Sequence, residues 1–110
     1  MGINYNGREF HPIANSAIGQ VNGDTSFLYK QQGDLLTATY QGGLIRFGQI
    51  VGLVREDDSL DLCYQHLTEA GELRSGRCHS TPERLPDGRL RLHERWQWSD
   101  GGEGESTIEE

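Results

Sequence analysis

At 110 residues, with fifteen glycines, the chain is long enough for one domain that buries about two-thirds of its unfolded surface, so no disulfide or metal staple is required. Seventeen acids against ten bases leave a net charge of −7, and with a pI near 5.0 this argues against a phosphate-binding track. No apolar run approaches the roughly 20 residues of a membrane span, and the N-terminal stretch is rich in Gly and Asn rather than basic and then apolar, so a cytoplasmic protein is expected.

Turn signals follow one another along the whole chain. Asn6-Gly7 predicts a small hairpin joining Ile3 to Phe10, and Asn22-Gly23 predicts another that brings Ile18 beside Phe27. The two-residue loop Gly33-Asp34 opens with the glycine that a type II′ turn favours, setting Gln32 opposite Leu35, Phe27 opposite Tyr40 and Tyr29 opposite Ala38. Gly42-Gly43 then pairs Tyr40 with Ile45, Ala38 with Phe47 and Leu36 with Gln49. A turn from Glu56 to Ser59 sets Leu53 against Leu62, Val51 against Tyr64 and Gln49 against His66.

Glu69-Ala70-Gly71, Pro86-Asp87-Gly88 and Ser99-Asp100-Gly101 have the form of three-residue loops that close on a left-handed glycine. The first places Leu62 beside Cys78, and Tyr64 over Gly76 as an aromatic covering a glycine. The second sets Cys78 by Trp96, Gly76 by Trp98 and Pro82 by Leu92. The third sets Leu92 by Ile108, with Arg91 facing Glu109 and Arg95 facing Glu105 on the other side. Opposite charges across a ladder add about 0.2–1 kcal/mol each and help hold the register.

Slipping any of these pairings by one residue would send its apolar set to the opposite face, yet all the turns agree on one face. The prediction is an all-β antiparallel up-and-down meander of about eight or nine strands. Closure into a small lipocalin- or avidin-like barrel removes the two raw edges, with a strongly curved open sheet as the alternative. Closure depends on whether the segment around Arg8 to Phe10 pairs with the last strand. The domain covers 1–110, ending from about residue 100 in an acidic Gly/Glu-rich stretch; Asp100, Glu103, Glu105, Glu109 and Glu110 lie there with no base among them. Cys78 is placed inside and Cys63 outside, so both are read as free thiols.

The motifs Tyr5-Asn6-Gly7-Arg8, Gly43-Leu44-Ile45-Arg46-Phe47-Gly48, Tyr64-Gln65-His66 and Ser80-Thr81-Pro82-Glu83 lead to the long stretch Leu85-Pro86-Asp87-Gly88-Arg89-Leu90-Arg91-Leu92-His93-Glu94 and on to Trp96-Gln97-Trp98. On these the chain resembles a family of short bacterial proteins that commonly carry the name N-acetylglutamate synthase. The resemblance implies acetyl-CoA-dependent acetylation of glutamate. Taken alone, the residues point elsewhere: the glycines lie in hairpin turns or within strands, and none opens an amphipathic helix whose amides would cradle a pyrophosphate.

On the inner face, Gln31, Gln49, His66 and Arg74 fall along one row near Tyr29, Tyr64 and Trp98. Polar groups converging beside aromatics at a barrel mouth describe a small-molecule site, in which Arg74 would take a carboxylate or phosphate and the amides and His66 would orient it. The plain alternative is that this row is the wet rim of the barrel. Glu94 points inward between Leu92 and Trp96, opposite Ser80 and near Ser106, either as a buried structural carboxyl or as a general acid or base with a raised pKa.

Outside, Arg89, Arg91, His93 and Arg95 form a basic stripe, but Glu83, Glu105 and Glu109 face it, which suits a salt-bridged surface better than nucleic acid. Asp61, His79 and His93 form a weak metal or acid–base cluster, with the bland reading that surface His and Asp often meet. Cys63 beside Arg77 has no base to complete a nucleophile. Three functions follow in order: a non-enzymatic binder of a small polar or anionic ligand using Gln31, Gln49, Tyr64, His66, Arg74 and Trp98; a structural or protein-interaction module; and the acetyltransferase of the resemblance. No cofactor is implied, and a homodimer is left open.

Overall fold

The computed structural model describes residues 2–15 and 21–110. Eight antiparallel strands run in chain order: β1 (Glu9–Asn15), β2 (Ser26–Gln32), β3 (Leu35–Gly42), β4 (Ile45–Val54), β5 (Leu60–Thr68), β6 (Leu73–Arg84), β7 (Leu90–Trp98) and β8 (Glu103–Glu109). Each pairs with the next, and β1 pairs with β8 to close the barrel. Closure uses His11–Asn15 rather than the expected Arg8–Phe10, with a bulge at Ile13 beside Pro12, where a residue without an N–H costs the ladder least. Arg8 contributes from outside the ladder through an ion pair to Glu110 at 2.6 Å. Among the described residues no helix is long and apolar enough to cross a membrane.

Most turns form as their residues dictate. Gly33, Gly71, Gly88 and Gly101 all have positive φ, the conformation that glycine alone adopts without a Cβ penalty. The expected registers hold from β2 to β3 and from β5 through β8: Tyr29 faces Ala38, Tyr64 faces Gly76, Cys78 faces Trp96, and Arg91 faces Glu109.

The strand between them does not follow expectation. Gly42 pairs with Ile45, so the loop tip is Gly43-Leu44 rather than Gly42-Gly43, and one extra residue enters as a bulge before Tyr40 meets Gly48. A second irregularity between Ile45 and Phe47 turns Phe47, Gln49 and Val51 outward and Gly48 and Ile50 inward. Gly42 is held at the strand end because its φ is 112° and a Cβ there would lie 2.1 Å from the Asp24 carbonyl oxygen. Gly48 is inside because the Tyr40 ring lies over it, within 2.5 Å of where a Cβ would be. The place opposite Ala38 that Phe47 was expected to fill is taken by Ile50.

The N-terminal segment also departs from its expected hairpin. A turn forms at Asn6-Gly7, with Arg8 N donating to Tyr5 O at 3.2 Å, but residues 2–5 form no strand. They lie against one end of the barrel instead. Ile3 N donates to Asp58 Oδ1 at 2.8 Å, the Tyr5 hydroxyl donates to the Asp58 carbonyl at 2.6 Å, and Tyr5 N donates to Gln31 Oε1 at 2.9 Å. Asp58 accepts from this segment with both its carboxyl and its carbonyl while holding a φ of 70°, a conformation that Asp tolerates better than most residues. Ile18 lies outside the described residues; the partner of Phe27 on β1 is Phe10.

This end is filled. Tyr5, Phe10, Leu36, Leu60, Leu90 and Ile108 are all fully buried. Tyr5→Phe removes the hydroxyl that ties the plug to Asp58, and a net hydrogen bond of this kind is worth about 1 kcal/mol. In thermal denaturation the variant is expected to melt about 4–8 °C lower. An unchanged midpoint would mean that the plug contributes nothing to the fold.

Candidate functional site

The other half of the barrel is less completely filled. A cavity of about 60 Å³ lies between Phe27 of β2, Tyr40 of β3, Ile50 of β4, Tyr64 and His66 of β5, and the strands β6–β8. On that second side its wall is made by Cys78, Glu94, Trp96, Trp98 and Ser106. Strand alternation explains the set, since each strand sends every second side chain inward.

Four of the six residues expected to form a ligand site come together near this end. Trp98 packs edge-on against Tyr64 at 5.4 Å and against His66 at 5.5 Å between ring centroids. Arg74 lays its guanidinium carbon 3.9 Å from the centre of the Trp98 ring, and its Nη2 donates to Asp100 Oδ1 at 3.1 Å. Arg74 is thus part of the rim and does not line the cavity. The other two are elsewhere. Gln31 is at the plugged end, where it also donates to Gly33 O at 2.8 Å, and Gln49 is exposed on the outer face.

His66 is 4% exposed. The Tyr40 hydroxyl and His66 Nδ1 are 2.8 Å apart. Burial, reinforced by the positive charge of Arg74, lowers the His66 pKa to about 4, so the ring is neutral at physiological pH. Burial likewise raises the pKa of Tyr40, which keeps its phenol protonated and able to donate.

Glu94 is the acid of the cavity. Ser106 Oγ donates to Oε1 at 3.0 Å and Ser80 Oγ to Oε2 at 3.4 Å, while the Cys78 thiol lies 3.8 Å from Oε2. These partners are neutral, and burial pushes the carboxyl pKa up to about 7 despite them. Burial, then the neighbouring Glu94 charge, raises the Cys78 thiol well above its ordinary value, so it behaves as a small protonated side chain rather than a nucleophile. Two buried polar atoms of the described residues have no hydrogen-bond partner: the Tyr29 hydroxyl and Trp98 Nε1.

The outer-face candidates separate. His79 Nδ1 is 2.8 Å from Asp61 Oδ1, and Arg55 Nε donates to Asp61 Oδ2 at 2.6 Å. The hydrogen bond with His79 and then that from Arg55 hold the Asp61 carboxyl below its usual range. His93 instead meets Glu83 at 2.8 Å. Among the described residues no group of three or more His, Cys, Asp or Glu side chains is placed to hold a metal ion. Arg89 and Arg91 of the basic stripe are paired in place, on Asp87 and Glu109.

Sequence reasoning placed Leu62, Cys78 and Trp96 on the inner face without assigning them to the site, and it left out Phe27, Tyr40 and Ile50 as well. Their signal was present, because an aromatic over a glycine pairs Tyr40 with Gly48 just as it pairs Tyr64 with Gly76, and that register brings Ile50 inward.

No curated protein and no solved structure matches the chain. The model of one family, described as avidin-like protein, matches residues 3–110, the whole barrel together with the segment that plugs it. A closed eight-stranded meander with an aromatic-walled hollow at one end is thus what this sequence specifies, and the chain belongs to the avidin-like family.

Proposed function

We propose that the barrel is a non-enzymatic binder of a small polar molecule, which it holds in the cavity between Trp98 and Glu94. One observation carries the reading. The indole N–H of Trp98 is buried without a partner on the wall of a cavity that also contains a buried carboxyl. A buried donor left unmade costs about 1–3 kcal/mol, which an acceptor brought by the ligand, or by a water retained beside it, would recover. The apolar rings supply contact area, and the few polar groups supply orientation, as in small-molecule sites generally.

Size bounds the ligand. Drug-sized ligands occupy pockets of about 300 Å³ or more, so a 60 Å³ cavity suits a molecule of a few non-hydrogen atoms or one protruding group of a larger one. Of polar and anionic ligands, the polar class fits better, because Arg74 is engaged at the rim and the acid of the wall is Glu94. Acetyl transfer rests on the family resemblance alone.

The test is thermal denaturation and tryptophan fluorescence of the purified protein against small neutral, anionic and cationic compounds at millimolar concentration, with biotin, glutamate and acetyl-CoA in the panel. Affinity is capped near 1.5 kcal/mol per non-hydrogen atom for very small ligands, so millimolar to micromolar dissociation constants are expected. At ten times the dissociation constant the fold gains about 1.4 kcal/mol, several degrees in Tm. Saturable shifts that agree between the two methods support the reading. A flat response across all classes would overturn it, and thiol release from acetyl-CoA in the presence of glutamate would replace it with an enzyme.

A further inference from the structure

We infer that the cavity takes a small organic cation, a primary or methylated ammonium group, with the Glu94 carboxylate as its counter-ion inside a wall of aromatic rings. The inference rests on the reading of the cavity as a ligand site and names the chemistry that the site would select.

The first observation is the charge inventory of the wall. Glu94 lines the cavity together with His66 and Cys78, and among the described residues no Lys or Arg does. His66 is neutral through burial. The hydroxyl and thiol groups on Glu94 satisfy lone pairs but bring no positive charge. A buried carboxylate without a cation is costly, and the ion that removes the cost is one that the protein does not itself provide there.

The second observation is what surrounds the carboxyl. Phe27, Tyr40, Tyr64, Trp96 and Trp98 all line the same space, with Trp96 and Trp98 at 5.7 Å and Phe27 and Tyr40 at 4.8 Å between centroids. Phe27 and Tyr40 stack on each other; aromatic rings carry negative quadrupole charge on their faces, and a wall rich in them favours ammonium groups. Trp98 already does so at the rim, where Arg74 lies over its ring. An anion would meet the carboxylate within the same aromatic wall, and a neutral ligand would leave the carboxylate unmatched. The net charge of −7 adds a long-range bias toward cations.

The third observation is size, since 60 Å³ admits methylammonium and a methylated ammonium group without admitting a bulky body. Ionised Glu94 is the binding form. The titratable groups that line the cavity with it are Tyr40 from β3, Tyr64 and His66 from β5, and Cys78 from β6. Tyr29 from β2 also acts on Glu94 electrostatically. Every one of these is uncharged at neutral pH by the shifts that burial imposes, so protonation of Glu94 is the event that competes with the cation.

The experiment compares methylammonium, tetramethylammonium, tert-butanol as the neutral shape-match of the latter, and acetate, all at one ionic strength set with sodium chloride. Tm and tryptophan fluorescence are read from pH 5 to pH 8. The expected result is saturable binding of at least one of the two cations, weakening about tenfold for each pH unit below 7 and level above it. Glu94→Gln should weaken that cation at least tenfold while leaving any response to tert-butanol in place. If Glu94→Gln fails to fold, the pH profile of the natural chain decides alone. Binding of tert-butanol or acetate with no response to either cation would overturn this inference and leave the cavity as a ligand site. Cation binding that ignores pH and Glu94 would overturn it too. No response to any of the four would remove both the cation and, with the wider panel, the site.

Discussion

Gly76→Ala is expected to cost about 3 kcal/mol or more, the upper part of the range for forcing extra atoms into a packed interior, and to lower Tm by about 12 °C or more. A Cβ at this position would lie 2.1 Å from the Gln97 carbonyl oxygen and 2.5 Å from the Tyr64 hydroxyl oxygen. The second atom can swing away. The first cannot, because it belongs to the backbone of β7, and relieving the clash means prising β7 from β6 where Gly76 faces Trp98. The control is Gly23→Ala, where a Cβ meets nothing within 4 Å and the effect should stay within about 0.5 kcal/mol or be slightly stabilising. Urea denaturation of the two variants beside the natural chain measures both. A loss below about 1 kcal/mol for Gly76→Ala would show that the ladder has slack at the cavity wall, and with it that Tyr64 and Trp98 are not rigidly positioned.

The contrast between Gly76 and Gly42 explains how much of this fold is legible from residues. Turns closed by Gly33, Gly71, Gly88 and Gly101 are local: one left-handed residue between two alternating segments determines the loop, and the loop sets the register. Those segments gave β5 to β8 correctly, and the pairing of Tyr64, His66, Arg74 and Trp98 came with them. At Gly42-Gly43 either glycine can take positive φ, so local chemistry offers two loops. The choice is made by contacts distant in sequence, the Asp24 backbone against Gly42 and the Tyr40 ring over Gly48.

A displacement of three residues across that turn and the bulge after it, and of one more at the turn after β4, where Arg55 closes on Ser59 and Leu53 meets Asp61 instead of Leu62, carried Gln49 from the cavity row to the outer face and moved His66 four residues along the sheet from Gln31. It also hid the Tyr40–His66 contact. Glu94 escaped because its neighbours Ser80 and Ser106 come from strands on the correctly registered side. The N-terminal plug was illegible for a different reason. Residues 2–5 alternate as a strand would, with Ile3 and Tyr5 buried and Gly2 and Asn4 exposed, but their place is set by individual hydrogen bonds to Asp58 and Gln31, which no local pattern announces.

Between pH 7 and pH 4.5 the stability of the natural chain is expected to be nearly level, because two buried groups act in opposite directions. Glu94 is raised from 4.5 to about 7 in the fold, so its contribution is fully present below pH 4.5 and is lost as pH rises to about 7. His66 is lowered from 6.5 to about 4, so its contribution is present above pH 6.5 and is lost as pH falls to about 4. At 1.36 kcal/mol per pH unit each displacement is worth about 3 kcal/mol, and across the shared window they offset one another. Substitution separates them. Glu94→Gln leaves His66 alone, and the variant should lose about 3 kcal/mol on going from pH 6.5 to pH 4. His66→Asn leaves Glu94 alone, and that variant should gain a similar amount on going from pH 7 to pH 4.5. The double variant should be level again, apart from any coupling between two groups that share one cavity. Urea midpoints at half-unit pH steps read all four chains, and single variants as level as the natural chain would mean that water reaches both groups and that the cavity is not dry. The same balance bears on ligand capture. An ammonium group that ionises Glu94 removes the acid's share of the compensation and leaves that of His66, so a saturated barrel should become more stable at pH 7 and steadily less so toward pH 5, a slope that the empty barrel lacks.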